Sequence, residues 1–137
     1  MNTHSQKIYD TIVVGAGISG LSAAYHLKKF SPQAEFLVLE GRDNFGGTWD
    51  FFKYPGIRSD SDMHTLGFSF KPWNSRKFIA DGPAIMNYLD EAIEENNLKD
   101  LIKFNMHIES ASWNSVDSLW ELSLSLIHIS EPTRRTT

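Results

Sequence analysis

The stretch IVVGAGISG at residues 12–20 decides the fold of this chain. Three branched apolar residues are typical of a buried strand, and the glycines that follow turn the chain tightly into a helix. Gly15 permits the bend, Gly17 lets a pyrophosphate approach the backbone, and Gly20 lets the helix pack closely against the strand. The pattern predicts a phosphate-binding turn that faces the positive N-terminal end of a helix.

An acidic residue follows this turn at the spacing that dinucleotide binding requires. Glu40 stands twenty residues after Gly20 and closes a second apolar run at residues 36–39. At such a position a carboxylate accepts hydrogen bonds from both hydroxyls of a ribose, whereas a 2′-phosphate would meet its negative charge. This first nucleotide site is therefore predicted to hold FAD or NAD and not NADP.

Hydrophobic periodicity predicts the remaining elements. A long stretch between residues 41 and 78 lacks periodicity, and its length indicates a binding loop. The order of elements predicts an α/β fold, namely a doubly wound Rossmann-like domain with an antiparallel excursion, an arrangement found in many FAD-binding domains. The predicted strands are 9–14, 35–40, a strand at 104–108 in which apolar and polar residues alternate, and a strand that begins at 120–122 after a turn at 114–118. The predicted helices are 18–30 and one that begins at Asp81 and ends at 96–97.

Composition excludes several classes of protein. The net charge is −4 and the basic residues are scattered, so no nucleic-acid partner is predicted. The chain has no cysteine, which excludes disulfides, thiolate metal sites and dithiol redox chemistry within it. Residues 1–7 lack the apolar core of a signal peptide and no apolar run is long enough to span a bilayer. A cytoplasmic protein without a transmembrane segment is expected.

Two groups of polar residues raise the question of a metal site. Four acids share one face of the second long helix, which is typical of a solvated face. Three histidines have no partners at ligand spacing and are interpreted as structural or surface residues. We therefore predict no metal site. The acids are Asp90, Glu91, Glu94 and Glu95, and the histidines are His26, His64 and His107.

The sequence of the long loop indicates which type of flavoprotein the chain resembles. Residues 46–73 read GGTWDFFKYPGIRSDSDMHTLGFSFKPW. Within them, GGTW at 46–49, YPG at 54–56 and RSDSD at 58–62 resemble the class B flavoprotein monooxygenases, which include the Baeyer–Villiger and flavin-containing monooxygenases. The sequence is most similar to the ethionamide-activating subgroup, and the resemblance runs from about residue 9 to residue 122.

Several positions of this loop allow two interpretations. Trp49 packs either beside a flavin or in the core beneath the loop. Arg58 and Asp60 make either a charge pair able to hold a nicotinamide amide or to stabilise a flavin peroxide, or an exposed pair of little energetic consequence. Seven aromatic residues are predicted to form a hydrophobic underlayer rather than a platform for stacked bases. They are Phe51, Phe52, Tyr54, Phe68, Phe70, Trp73 and Phe78.

The resemblance implies an NADPH-dependent monooxygenase that contains FAD and uses molecular oxygen. In that family a hydroperoxyflavin inserts oxygen into a ketone or oxidises a sulfide or amine, and the protein binds and orients the cofactor. A non-catalytic dinucleotide-binding module is the alternative. The resemblance assigns residues to each part of FAD: the pyrophosphate would contact Gly15, Gly17, Ser19 and Gly20, the ribose Glu40, the adenine the backbone of Ile108, and the flavin Gly47, Thr48, Trp49, Asp50 and Phe51. It also assigns Arg58, Ser59 and Asp60 to NADP binding. Asp60 and Arg58 would in addition be the catalytic residues.

The resemblance also bears on the extent of the chain. The family's second glycine fingerprint and its substrate domain are not found here, so residues 7–123 are interpreted as an N-terminal fragment of the FAD-binding domain that is inactive alone. Residues 124–137 resemble the translated end of a sequencing-library adaptor and are predicted to be a non-native tail. An accidental strand over 124–129 and a disordered end from Pro132 onward are expected.

Overall fold

A three-stranded parallel sheet lies at the centre of the structure. The computed structural model describes residues 7–76 and 78–126. Strand β1, Thr11–Val14, pairs along its whole length with β2, Phe36–Leu39, and β2 pairs with the two-residue strand β3, Ile102–Lys103. The first two strands were predicted, and each is one or two residues shorter at its ends than expected.

The helix after the glycine turn has the predicted bounds. Helix α1, Ile18–Phe30, crosses from β1 to β2, as parallel neighbours require. Its N-cap is Gly17, and no side chain caps that end. Leu21 and Ala24 are fully buried and fasten the helix to the sheet.

The long loop contains two single-turn helices, α2, Thr48–Phe51, and α3, Met63–Leu66. Helix α3 begins where the Asp62 carboxylate accepts the backbone N–H of Thr65 at 3.0 Å. Met63 is fully buried, so this turn anchors the outer part of the loop to the core.

Helix α4, Gly82–Glu95, begins as predicted at Asp81, whose carboxylate accepts the backbone N–H of Ala84 at 2.9 Å. Its buried face consists of Ile85, Tyr88, Leu89, Ala92 and Ile93. The four acids of the opposite face are exposed, as expected for a solvated face. Lys71 pairs with two of them, Glu91 and Glu95, at 3.1 and 3.3 Å.

The sequence predicted one strand beginning at residue 104, and the structure corrects this. A 3-10 helix, Lys99–Leu101, leads into β3, and Asn105 then adopts a left-handed conformation with φ +59° that separates β3 from the next strand. Asparagine tolerates this conformation better than most residues. A two-residue strand carries no periodicity, so hydrophobic alternation alone did not predict β3.

An antiparallel hairpin follows. Strand β4, Met106–Asn114, pairs with β5, Leu119–Leu126, and Trp113 lies directly opposite Trp120. The predicted turn is present, with the Asn114 side chain accepting the backbone N–H of Val116 at 3.0 Å. Strand β5 reaches into the predicted tail, whose origin no structural observation tests. The disorder expected from Pro132 onward concerns residues outside the described part of the chain.

The predicted aromatic underlayer is only partly correct. Phe68 and Trp73 are buried and Phe70 is half-buried, in a cluster where Phe68 stacks on Tyr88. The other four aromatic residues are 47 to 62% exposed. Helix α2 is only one turn long and directs Trp49 and Asp50 inward, so the chain after it lies on the outside. The exposed aromatic residues are Phe51, Phe52, Tyr54 and Phe78.

Within residues 7–76 and 78–126, the structure contains no helix that is both long and apolar enough to cross a membrane.

Gly20→Ala tests the packing of α1 on β1. A Cβ at residue 20 would overlap the carbonyl oxygen of Gly15 and stand 2.9 Å from its carbon, so the helix must shift. We expect the free energy of unfolding to fall by about 1–3 kcal/mol, measured by urea titration.

Gly17→Ala is the matched control, because its new Cβ would lie 3.7 Å from Gly47 Cα, an ordinary contact. Equal stability losses in the two variants would show that the contact between Gly20 and Gly15 does not set the packing.

Candidate dinucleotide-binding site

A cleft of about 310 Å³ opens at the carboxyl end of β1, between the glycine turn and the start of α2. Ligands bind at this end of the strands in open α/β sheets. The walls of the cleft include seven of the predicted cofactor-binding residues: Gly15, Gly17, Ser19, Gly20, Gly47, Thr48 and Trp49. Two segments that are far apart in sequence therefore form one site.

The two walls meet where glycine backbones touch. A Cβ on Gly47 would stand 3.2 Å from Gly17 Cα, and Gly47 itself has φ +55°. The backbone N–H of Gly46 donates to the carbonyl of Ala16 at 2.8 Å and ties the two segments together. A side chain at Gly47 would crowd Gly17 and would be strained at this positive φ, so the close approach of the two walls requires glycine at residue 47.

Glu40 lies beneath the glycine turn and is 8% exposed. One carboxylate oxygen accepts the backbone N–H of Ala16 at 2.7 Å, and the other accepts the N–H of Arg42 at 3.0 Å. Because a carboxylate oxygen has two acceptor positions, each oxygen keeps one for a further donor. Glu40 therefore supports the shape of the glycine turn and retains the acceptor capacity that a ribose hydroxyl would use.

Trp49 and Thr48 line the cleft, whereas Asp50 and Phe51 do not belong to its walls. Trp49 is half-buried and packs against the core, as one of its two interpretations predicted, and its packing beside a flavin stays a prediction. Phe51 is 62% exposed, and the Arg42 guanidinium lies 5.2 Å from its ring centre. A flavin contact of Phe51 stays a prediction.

Asp50 is a buried carboxylate, 3% exposed, with three donors around it. Arg42 Nη1 is 2.6 Å from Oδ2, while Asn44 Nδ2 and Lys53 Nζ lie 2.9 and 3.2 Å from Oδ1. Burial alone would raise the pKa of Asp50, but hydrogen bonds from Asn44, Lys53 and Arg42 outweigh it and hold the pKa below its ordinary value. The side chain stays ionised at neutral pH.

The charge pair expected between Arg58 and Asp60 is not formed. Both side chains are exposed, and the ion pairs of the described residues do not include them. In water such a pair gains little, so nothing holds the two side chains together. Ser59 between them is 2% exposed, and its hydroxyl accepts the N–H of Ala80 at 3.2 Å. The NADP contacts of these residues stay predictions.

Ile108 lies on β4, close to the end of β2. The N–H of Met106 donates to the carbonyl of Glu40 at 2.9 Å, and the N–H of Asn105 donates to the carbonyl of Arg42 at 2.9 Å. These bonds bring the start of the hairpin beside the predicted ribose residue. An adenine contact through the Ile108 backbone stays a prediction.

Sequence reasoning missed Arg42 and Asn44, which hold Asp50. Their signal in the sequence was weak: a run of polar residues, GRDN at 41–44, directly after Glu40. The three histidines are exposed, as expected. In the part of the chain that is described, no cluster of three or more His, Cys, Asp or Glu is arranged to hold a metal ion.

A larger cleft, about 610 Å³, lies among Tyr9, Lys28 and Asp100. It is situated at the amino ends of the strands and contains none of the predicted residues. Size alone would favour it, but the helix N-terminus and the glycine turn lie at the opposite end of the sheet, where phosphates bind. The smaller cleft is therefore the candidate site.

The family of NAD(P)-binding Rossmann-like domains matches residues 13–92, more than half of the 137-residue chain. The chain belongs to this family. The match begins in β1 and ends in α4, so the Rossmann-like domain includes both walls of the cleft. The predicted fold class is thereby confirmed.

Similar proteins agree with the resemblance seen in the loop. The chain is 53% identical over 116 residues to the FAD-containing monooxygenase EthA of Mycolicibacterium smegmatis, a match that covers 85% of this chain and 24% of the relative. It is 52% identical over 115 residues to the probable FAD-binding monooxygenase AlmA of an Acinetobacter species, covering 84% of this chain and 23% of the relative.

Solved structures agree as well. The chain resembles an oxidized steroid monooxygenase bound to NADP, with 30% identity and a TM-score of 0.78, over 85% of this chain and 23% of that chain. The similarity to FAD-containing monooxygenases is therefore confirmed. The chain spans about a quarter of the length of the curated relatives it matches.

Glu40→Gln tests the second role of this residue, its support of the glycine turn. An amide has only one oxygen, so either Ala16 or Arg42 loses its acceptor. We expect the free energy of unfolding without cofactor to fall by about 1–3 kcal/mol in urea titrations.

Glu35→Gln, at the exposed other end of β2, is the control and should change stability by less than about 1 kcal/mol. If both variants matched the wild type, the two hydrogen bonds of Glu40 would contribute nothing to the fold.

Proposed function

We propose that this chain is the FAD-binding part of an NADPH-dependent flavoprotein monooxygenase. The observation that carries the proposal is the cleft in which the glycine turn of residues 15–20 meets GGTW of residues 46–49. A glycine turn alone serves many nucleotides, whereas the GGTW tetrad is one of the motifs on which the resemblance to the monooxygenases rests.

Three features of the site fit FAD. The N-terminus of α1 has no side-chain cap, so its first N–H groups are available to a pyrophosphate. The glycine backbones leave room for the phosphates to approach. The buried Glu40 carboxylate retains acceptor capacity for ribose hydroxyls and would repel a 2′-phosphate. FAD therefore suits this cleft, and NADPH is proposed to bind elsewhere in the intact protein.

When bound, FAD would accept electrons from NADPH and supply the chemistry that activates oxygen. The residues of this chain bind, orient and shield it. Ser19 and the start of α1 are proposed to hold the pyrophosphate, and Glu40 the ribose. Thr48 and Trp49 line the cleft, and the indole excludes water from one side of a ring placed there.

Arg58 and Asp60 project from the loop into solvent, where a second nucleotide can reach them. We propose that they contact NADP and the reacting edge of the flavin in the intact protein. Ketones, sulfides or amines are the proposed substrates, and molecular oxygen is the co-substrate. The cytoplasmic location expected from the sequence stays a prediction.

The alternative is a dinucleotide-binding module without catalysis. Reading the source DNA through codon 123 distinguishes the two proposals, and it also tests the adaptor hypothesis for residues 124–137. A second glycine fingerprint further along the frame supports the monooxygenase. An uninterrupted native frame without one would overturn it.

Ser19→Asp tests the pyrophosphate position. Ser19 is exposed in the first turn of α1, where a carboxylate is favourable for the helix by about 0.3–1 kcal/mol. The same charge repels a pyrophosphate, and one unit charge about 4 Å from another costs about 4 kcal/mol near a protein surface. We expect normal folding of the full-length gene product and at least a roughly tenfold loss of FAD affinity, measured by fluorescence titration.

Ser115→Asp places the same charge in the exposed hairpin turn and should leave FAD affinity unchanged. Wild-type affinity in Ser19→Asp would exclude the N-terminus of α1 as the phosphate site.

Asp60→Ala in the full-length gene product tests the proposed catalytic residue. The side chain is exposed and makes no hydrogen bond within the described residues, so its removal leaves no cavity. We expect unchanged folding and FAD content but less oxygenated product for each NADPH consumed. Ser61→Ala, the exposed neighbour, serves as the control. Product yields equal to wild type would make Asp60 an ordinary surface residue.

A further inference from the structure

Asp50 is the most heavily contacted polar side chain around the candidate site, yet it does not line the cleft. Its carboxylate is 3% exposed, and Arg42, Asn44 and Lys53 occupy both oxygens. The family resemblance would make this residue part of the flavin-lining segment. Its contacts point to a different role.

The donors on Asp50 come from both sides of the glycine pair at residues 46–47. Arg42 and Asn44 precede the pair and Lys53 follows it, so the carboxylate closes a loop around these glycines. The loop is tightly enclosed, because a Cβ on Gly46 would stand 3.1 Å from Asp50 Cβ and would overlap the sulfur of Met86. On the other side Gly47 touches Gly17.

Electrostatics support the same assignment. An unpaired carboxylate facing the cleft would repel the phosphates of an anionic cofactor. Here the partly exposed Arg42 and the exposed Lys53 reach the buried Asp50 carboxylate from the surface and neutralise its charge, so the ionised side chain keeps cationic partners. Replacing these donors by a flavin would leave the buried charge without its cationic partners.

We propose that Asp50 is a positioning residue that holds Gly46–Trp49 against the glycine turn through Arg42 and Asn44, without contacting FAD. This inference rests on the proposed function, because the wall it positions belongs to the proposed FAD cleft. It assigns the flavin contacts of this segment to Thr48, Trp49 and the glycine backbone.

A double-mutant cycle in the full-length gene product tests the proposal, with FAD affinity and the visible circular dichroism of bound flavin as readouts. Asp50→Asn keeps the shape of the side chain but presents Arg42 with an amide, which is either a donor or a weaker acceptor than the carboxylate. Arg42→Gln removes the other partner of the same contact, a side chain that is partly exposed. We expect each variant to lower FAD affinity roughly tenfold, to alter the dichroism in the same way, and to have little further effect when combined. Asp43→Asn, an exposed acid of the same loop, is the charge-matched control and should leave both readouts unchanged.

Other outcomes overturn the proposal. If Asp50→Asn changed the dichroism and affinity while Arg42→Gln did not, Asp50 would be a direct flavin ligand. If stability fell in both variants while affinity and dichroism of the folded protein stayed at wild-type values, the cluster would serve the fold alone. If the Asp50→Asn variant did not fold, the Arg42→Gln variant would decide alone. Wild-type FAD affinity in Arg42→Gln would then exclude the positioning role of Asp50. A wild-type protein without FAD would instead refute the proposed function.

Discussion

The contact between Gly20 and the carbonyl of Gly15 is the constraint on which the rest of the structure depends. No Cβ fits there, so α1 begins directly against the end of β1 and its N-terminus points along the carboxyl edge of the sheet. A helix set farther out would carry its free N–H groups away from this edge. The position of the proposed phosphate site therefore follows from the steric contact between two backbone segments.

Two carboxylates turn this contact into a defined cleft, and each acts through a different kind of partner. Glu40 uses backbone N–H groups, and it thereby links the end of β2 to the glycine turn and to the residue that starts the long loop. Asp50 uses side chains and closes that loop on itself. Both carboxylates are buried, so their hydrogen bonds are made away from competing water and their loss is costly.

The relation between the cleft and the exposed aromatic residues gives the loop two distinct sides. Trp49 faces the cleft and the core, whereas Phe51, Phe52 and Tyr54 lie on the outside. One short helical turn, α2, produces this division because consecutive residues of a helix point in different directions. Hydrophobicity does not distinguish these positions, which explains why an aromatic underlayer was a reasonable prediction and was wrong for the outer residues.

The amino-acid sequence was sufficient for the local parts of this protein. The strands β1 and β2, helix α1 and the start of α4 followed from periodicity, a glycine turn and a capping acid, all of which act within a few residues. Tertiary structure alone decided which distant groups meet: Gly47 against Gly17, Asp50 with Arg42, and the failure of Arg58 to pair with Asp60. Such contacts depend on how separate segments pack and on which charges are shielded from water, and no local pattern in a sequence encodes either of these.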